Sequence, residues 1–254
     1  MANDYFQFRQ FTVRQDRCAM KVGTDGTLLG AWANVPLEKA GRSELPAHGE
    51  QPQPVPSPRV LDIGTGTGLI ALMMAQRFPT AAVVGIDIDS EAVGQARDNV
   101  ASSPFAKRIE MVEGDVVEAF AHQRSVFDAI VSNPPYFEHS LQAPDERRTA
   151  ARHATTLTYE GLLLTACRLL NDSGELSVVV PFDCLQRFDA EASLAGLFKV
   201  RQCAVRTTPR KAPRRYLLAY ALHPRAVELT EGIVERTPGV RSEWYAELTK
   251  DFYL

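Results

Sequence analysis

The chain has 254 residues, 45% of them hydrophobic, and a net charge of -3 at pH 7. That length sustains one sizeable domain with small additions, and no apolar run approaches the roughly 20 residues of a membrane span, so a soluble protein is expected. So small a charge carries no global nucleic-acid signal, and a partner of that kind has to be read from local patches.

The start, MANDYFQFRQ, lacks the basic-then-apolar layout of a secretory signal. Cys18, Cys167, Cys184 and Cys203 have neither zinc-ligand spacing nor the number for a disulfide framework, which implies reduced thiols in a cytoplasm. Alternation in Phe6, Phe8 and Phe11–Val13 predicts a short strand, and Thr24-Asp25 ahead of Gly26–Ala33 reads as a capped helix start. This segment is either a lid beside the turn that follows or simple N-terminal packing. Residues 34–58 carry Pro36, Pro46, Pro52, Pro54 and Pro56 among polar residues, with Pro58 against the next strand, which predicts an extended loop without chemistry.

The stretch RVLDIGTGTGLIALMMAQ (59–76) has the pattern of a buried strand, a tight turn and a helix. Gly64, Gly66 and Gly68 alternate, so the backbone can take positive φ and a ligand can come against the main chain, at a helix N-terminus whose N–H groups point outward. A dinucleotide fingerprint needs its third glycine at position 69, which is Leu. Asp62 stands just before the turn, where it would repel a pyrophosphate. An acid there suits a cationic ligand without phosphates, and S-adenosylmethionine carries a sulfonium and an ammonium.

AAVVGIDID (81–89) predicts a second buried strand ending at Asp87, placed to accept from a ribose diol. A helix follows from Asp89-Ser90-Glu91 through Val100, then a strand at 108–112 and Asp115, either a helix cap or an acceptor for an adenine amino group. The strand Val126–Ser132 runs into Asn133-Pro134-Pro135-Tyr136. Proline fixes φ and lacks an N–H, so the Asn133 side-chain oxygen and the Pro134 main-chain oxygen form a stiff pair of acceptors for a planar NH2 group. Tyr136 offers a face for a base. No Ser-His-Asp set, metal-spaced cluster or Walker lysine argues for another chemistry.

Residues 138–160 hold a basic core of Arg147, Arg148, Arg152 and His153, either a solvated face or phosphate contacts beside the target base. Helices are predicted at Tyr159–Leu170 and Cys184–Leu197, and strands at Gly174–Val180, Lys199–Arg206 and Tyr216–Leu222. Between the last two strands, Arg206, Arg210, Lys211, Arg214 and Arg215 form a second backbone-binding candidate or a solubilising hairpin tip. The tail predicts a short strand, a turn at Pro238-Gly239 and a terminal helix capped by Ser242.

DIGTGTG at 62–68, Asp87 and NPPY at 133–136 resemble class I S-adenosylmethionine-dependent methyltransferases acting on exocyclic amino groups. CAMKVGTDGTLLGAWA (18–33) and LTKDFYL (248–254) narrow the likeness. Over nearly its whole length the chain resembles the bacterial tRNA adenine-N6 methyltransferase family, which modifies the adenine beside the anticodon of a valine tRNA.

The resemblance implies an α/β, Rossmann-like fold: a mostly parallel seven-stranded sheet with an antiparallel last strand and helices on both faces. One domain spans 1–254, with an N-terminal extension at 1–33, the proline-rich insertion at 34–58, the core at 59–222 and a C-terminal extension at 223–254. The insertion looks longer than the family's usual link. Gly64, Gly66 and Gly68 are implied to cradle the methionine part of the cofactor, with Asp62 and Thr65 also cofactor-binding. Asp87 takes the ribose and Asp115 the adenine, with Ile88 and Val116 also at the cofactor. Asn133, which also meets the cofactor, joins Pro134, Pro135 and Tyr136 around the target base. Lys21, Thr24 and Asp25 gain a place by the cofactor. tRNA is the implied partner, without membrane, metal or obligate protein partner, and the location cytoplasmic. The same chemistry on rRNA guanine N2, DNA adenine N6 or protein glutamine stays open, as does a non-catalytic RNA-binding protein.

Overall fold

The computed structural model describes residues 3–18, 20–36, 57–134 and 157–254. Pro135, Tyr136, Arg147, Arg148, Arg152, His153 and most of the proline-rich segment lie outside the described residues.

β3 (Arg59–Ile63) lies inside an eight-stranded sheet, parallel to β4 (Ala82–Asp87) on one side and β6 (Phe127–Ser132) on the other. β5 (Ile109–Glu113) continues in parallel beyond β4, and β7 (Leu170–Pro181) beyond β6. β9 (Arg215–Ala221) runs antiparallel between β7 and β8 (Phe198–Arg206). The mostly parallel sheet with its antiparallel last core strand is therefore present. One strand is added to the expected seven: β10 (Glu228–Ile233), from the tail, lies parallel along β8. Without β10, the outer side of β8 would be an open row of N–H and C=O groups.

Strands buried on both faces need apolar residues at every position, which is why β3 and β6 read as runs rather than alternations. Val60 enters the core on one face, and Leu61 and Ile63 the core on the other. The first core is covered by α1 (Thr24–Trp32), α2 (Leu69–Arg77), α3 (Ser90–Ala101) and α7 (Glu243–Thr249). The second is covered by α4 (Val116–Ala119), α5 (Tyr159–Leu169) and α6 (Leu185–Leu194).

α1 is buried from Gly26 to Ala31, as a helix apolar on nearly every side must be. Two glycines let it close on α2: a Cβ on Gly30 would meet the Met73 sulfur at 2.7 Å, and one on Gly26 would meet Leu69 at 3.1 Å. Arg77 Nη1 donates to the Gly30 and Ala33 carbonyls at the far end of α1, at 3.0 and 2.5 Å, satisfying oxygens the helix leaves open. The start of α1 differs from the expected cap. Gly23, in extended backbone, precedes the helix and offers no side-chain cap, so Thr24 and Asp25 fall inside the first turn.

Where one N-terminal strand is expected, β1 (Tyr5–Gln7) and β2 (Thr12–Arg14) form a hairpin. Phe8 stacks on Phe11 and on Tyr253, with centroids 4.7 and 5.8 Å apart, and Arg9 N donates to Phe252 O at 2.8 Å. The two ends of the chain are thus clasped together. In the tail, β11 (Glu235–Thr237) and β12 (Val240–Arg241) flank Pro238-Gly239, and Ser242 caps α7 by accepting from Tyr245 N at 3.0 Å. Trp244 of α7 lies flat against Gly232 of β10, leaving no room for a Cβ.

That contact makes Gly232 the seal of the sheet's outer edge. Gly232→Ala should lower the unfolding free energy by about 1–3 kcal/mol, the range for overpacking, in a denaturant titration. An unchanged midpoint would show that Trp244 is not wedged there.

Candidate active site

The parallel strands β3, β4, β5 and β6 end on one side of the sheet, and a cavity of about 580 Å³ opens at their carboxyl ends. Open α/β sheets bind their ligands in this position, and the volume is that of a small-molecule or cofactor site.

The glycine turn forms its floor, and its three glycines divide by role. Gly64 and Gly66, at φ +69° and +54°, line the cavity and have nothing within 4 Å of where a Cβ would stand. The space a side chain would fill is left to a ligand. Gly68, at φ +80°, stands behind the wall, where a Cβ would meet Met111 at 3.2 Å and Ala96 at 3.3 Å. It is a packing glycine that lets α2 start against α3.

Asp62 also stands behind the wall and not in it. Its Oδ2 accepts from Thr65 Oγ1 at 2.6 Å and from Ala71 N at 3.1 Å, tying the turn to the first turn of α2. Its Oδ1 is buried without a hydrogen-bond partner. Burial pushes this carboxyl up to about 7, with Asp87 adding to the rise against the two hydrogen bonds that lower it. The acid before the turn is therefore an internal staple. The anionic wall is supplied by Asp87, Asp89 and Asp115, at the ends of β4 and β5.

Asp87 reaches across to the turn: Oδ2 accepts from Gly66 N at 2.8 Å and Oδ1 from Asp89 N at 3.1 Å. A carboxylate offers about four lone-pair sites, so acceptor capacity remains for a diol. Ile88 beside it is 52% exposed, an apolar surface on the cavity wall. Asp115 caps α4 through Oδ1, which accepts from Val117 N at 2.7 Å, and Asp115 and Val116 both line the cavity.

Asn133 and Pro134 line the cavity where β6 ends. Ser132 Oγ donates to Ile63 O at 2.9 Å, fixing that end to β3. Asn133 Nδ2 points to Met20 Sδ at 3.7 Å, which turns the amide's nitrogen toward the N-terminal segment.

That segment walls the cavity with Lys21, Thr24, Asp25 and their neighbours. Three buried amides hold it. Asn99 Nδ2 donates to Arg14 O and to Thr67 O, both at 2.9 Å, bridging the segment to the glycine turn. Gln95 Oε1 accepts from Arg17 N at 3.1 Å, and Gln15 Oε1 from Val22 N at 2.7 Å. The sequence reading passed over these residues. Their signal was Gln95 and Asn99 at i and i+4, on the face of α3 that also carries Ala92, Val93 and Ala96. Burial together with Asp87 and Asp89 pushes the Cys18 thiol on this wall up to about 11, so it stays protonated.

Arg215 is placed differently from its expected role on the RNA backbone. It lines the cavity and pairs with Asp25 of α1. Arg206 pairs with Glu231 at 3.0 Å. Arg210, Lys211 and Arg214 are exposed and have no ion-pair partner among the described residues. No group of three or more His, Cys, Asp or Glu able to hold a metal occurs among the described residues.

Bare main chain at Gly64 and Gly66, acids at two strand ends and an apolar flank fit a cationic nucleoside such as S-adenosylmethionine. Gly66→Ala should weaken S-adenosylhomocysteine binding more than tenfold by calorimetry, whereas Gly68→Ala should chiefly lower the melting temperature; the reverse pattern would overturn the division. A second expectation concerns Asp62. Its folded value, about 7, exceeds the ordinary 3.8, so the unfolded chain ionises first as pH rises. Stability should fall between about pH 4 and 7 and level off above. Asp62→Asn keeps an acceptor for Thr65 and Ala71 and should flatten that slope in denaturation curves; an unaltered slope would contradict the assignment.

A family model described as the methyltransferase small domain matches residues 47–208. A Bacteroides thetaiotaomicron protein named tRNA1(Val) (adenine(37)-N6)-methyltransferase is 46% identical over 255 residues, covering 100% of this chain and 99% of that one. A Porphyromonas gingivalis protein of the same name is 44% identical over 262 residues, covering 100% and 96%. In fold alone, the crystal structure of a predicted O-methyltransferase from Agrobacterium tumefaciens is similar at TM-score 0.60 and 20% identity, over 89% of this chain and 96% of that one. With the two relatives spanning it end to end and the family model matching more than half of it, the chain belongs to the methyltransferase small domain family and, within it, to the bacterial tRNA1(Val) (adenine(37)-N6)-methyltransferases.

Proposed function

We propose that the chain transfers a methyl group from S-adenosylmethionine to the N6 amine of adenine 37 in tRNA1(Val), a cytoplasmic substrate. The observation that carries this reading is the 46% identity to a protein of that name across the full length of both chains. The ends of the chain, which build the cavity wall and the clasp, are included in that likeness.

When bound, S-adenosylmethionine supplies a methyl group activated by its positive sulfonium. Gly64 and Gly66 leave room for its methionine part, and Asp87 accepts from its ribose. Ile88, Asp115 and Val116 flank its adenine. Asn133 and Pro134 act on the acceptor. An exocyclic amine is a poor nucleophile because its lone pair is delocalised into the ring. Hydrogen bonds from its two protons to Asn133 Oδ1 and Pro134 O favour a pyramidal nitrogen, with its lone pair free of the ring. The remaining work is position and electrostatics. Proline's fixed φ keeps the two oxygens stiff. Arg210, Lys211 and Arg214 lie open for phosphates of the tRNA. Arg215 is instead the inner cation, held by Asp25 beside the reacting groups.

Mass spectrometry of tRNA1(Val) treated with the protein should show N6-methyladenosine among its nucleosides and the added methyl on the nuclease fragment that carries adenine 37. Label entering duplex DNA, rRNA or a protein but not tRNA would overturn the substrate. Asn133→Ala should cut turnover by about 10² or more, the scale for losing one positioned polar group, with S-adenosylhomocysteine affinity nearly unchanged. Equal losses in both would place Asn133 on the cofactor alone.

A further inference from the structure

Phe182 stands at the carboxyl end of β7, next to β6, with 53% of its surface exposed. Single exposed apolar residues are ordinary. This one is distinguished by how it is held and what lies around it. The β7–β9 ladder reaches Pro181 opposite Arg215, and Phe182 N donates to Arg214 O at 3.0 Å one step farther on. The ring stacks on buried Tyr216, centroids 6.2 Å apart and planes inclined by 29°. One side of the ring is therefore backed and its backbone is fixed.

The surroundings are cationic. Arg215, across the ladder, lines the cavity. Arg214 and the loop leading to it bring Arg210 and Lys211, exposed and without ion-pair partners among the described residues. Asp183 is the acid beside Phe182 in the chain. Reach separates Phe182 from the reacting centre. Ser132, the last residue of β6, pairs with Val178. Asn133 and Pro134 extend one and two residues past Ser132, so Phe182, just past the end of β7, lies two to three residues beyond their level, roughly 7–10 Å at about 3.3 Å per residue. That offset, on the neighbouring strand, suits a base next to the target in the same strand of RNA.

We infer that Phe182 is a stacking platform for a base flanking the target adenine, with Arg210, Lys211 and Arg214 on the phosphates around it. The inference rests on the RNA substrate proposed above and adds a residue that touches that substrate outside the cofactor cavity. Every base has a flat face, so such a platform positions the strand without selecting sequence. The cations add a salt-dependent share.

The test measures binding and methylation of a fluorescent anticodon stem-loop by the full chain and by Phe182→Ala, Phe182→Leu and Phe182→Trp. Alanine and leucine should each weaken binding roughly 5- to 150-fold, the cost of one lost base stack. The KM for RNA should rise, while kcat, S-adenosylhomocysteine affinity and melting temperature hold. Tryptophan should restore binding, and a stem-loop lacking the flanking base should lose the gap between wild type and leucine. Leucine binding within twofold of wild type, or an equal gap on the abasic stem-loop, overturns the platform. A wild-type chain that neither binds nor methylates the stem-loop overturns the RNA substrate itself, and the platform with it.

Discussion

The site depends on one carboxyl buried behind its wall. Asp62, wholly buried, takes a hydroxyl hydrogen from Thr65 and an amide hydrogen from Ala71, and so bends the chain from β3 into α2 through a fixed turn. From the other side, Asp87 takes the Gly66 amide and the Ile86 carbonyl takes those of Gly64 and Thr65. With these donors spoken for, the turn keeps its positive φ angles and presents bare main chain to the cavity. A ligand meets a surface already formed, which is what keeps the ordering cost of binding low.

Over that turn lies a wall built from a distant part of the chain. Its polar links are side-chain amides at Gln15, Gln95 and Asn99, and buried amides left unpaired would each be costly. The segment is thus specified as tightly as the core. Through Asn99 it touches the glycine turn, through Met20 the Asn133 amide, and through Asp25 the Arg215 guanidinium. Cofactor floor, acceptor end and outer basic loop are connected by one stretch of about a dozen residues. Displacing it would disturb all three.

Much of this was legible in the order of residues. Apolar runs ending in glycine, acid or Asn-Pro marked β3, β4 and β6, because strands covered on both faces leave no room for polar alternation. The acid at Asp87 and the Asn133-Pro134 pair were legible because each follows a strand directly, so strand direction alone delivers them to the cavity mouth. What escaped depended on burial and on packing partners that no local pattern names. Asp62 reads as a ligand for a cation until its burial shows it spent on Thr65 and Ala71. Gly68 looks like its two neighbours until Met111 and Ala96 are seen against it. Arg215 belongs to a run of basic residues in the sequence, yet the β7–β9 register turns it inward to Asp25. β10 was visible only as a short strand in a tail, since nothing local says which sheet edge it seals.

The central claim is that the preformed turn and Asp87 hold the cofactor while the Asn133-Pro134 pair takes the acceptor amine, with the cofactor's sulfur directed at that pair. A crystal structure with S-adenosylhomocysteine tests it most directly. The account predicts the ribose diol on Asp87, the methionine part over Gly64 and Gly66, and the sulfur facing Asn133. A cofactor seated with its sulfur away from Asn133, or a Gly64–Gly68 turn that rebuilds on binding, would contradict it.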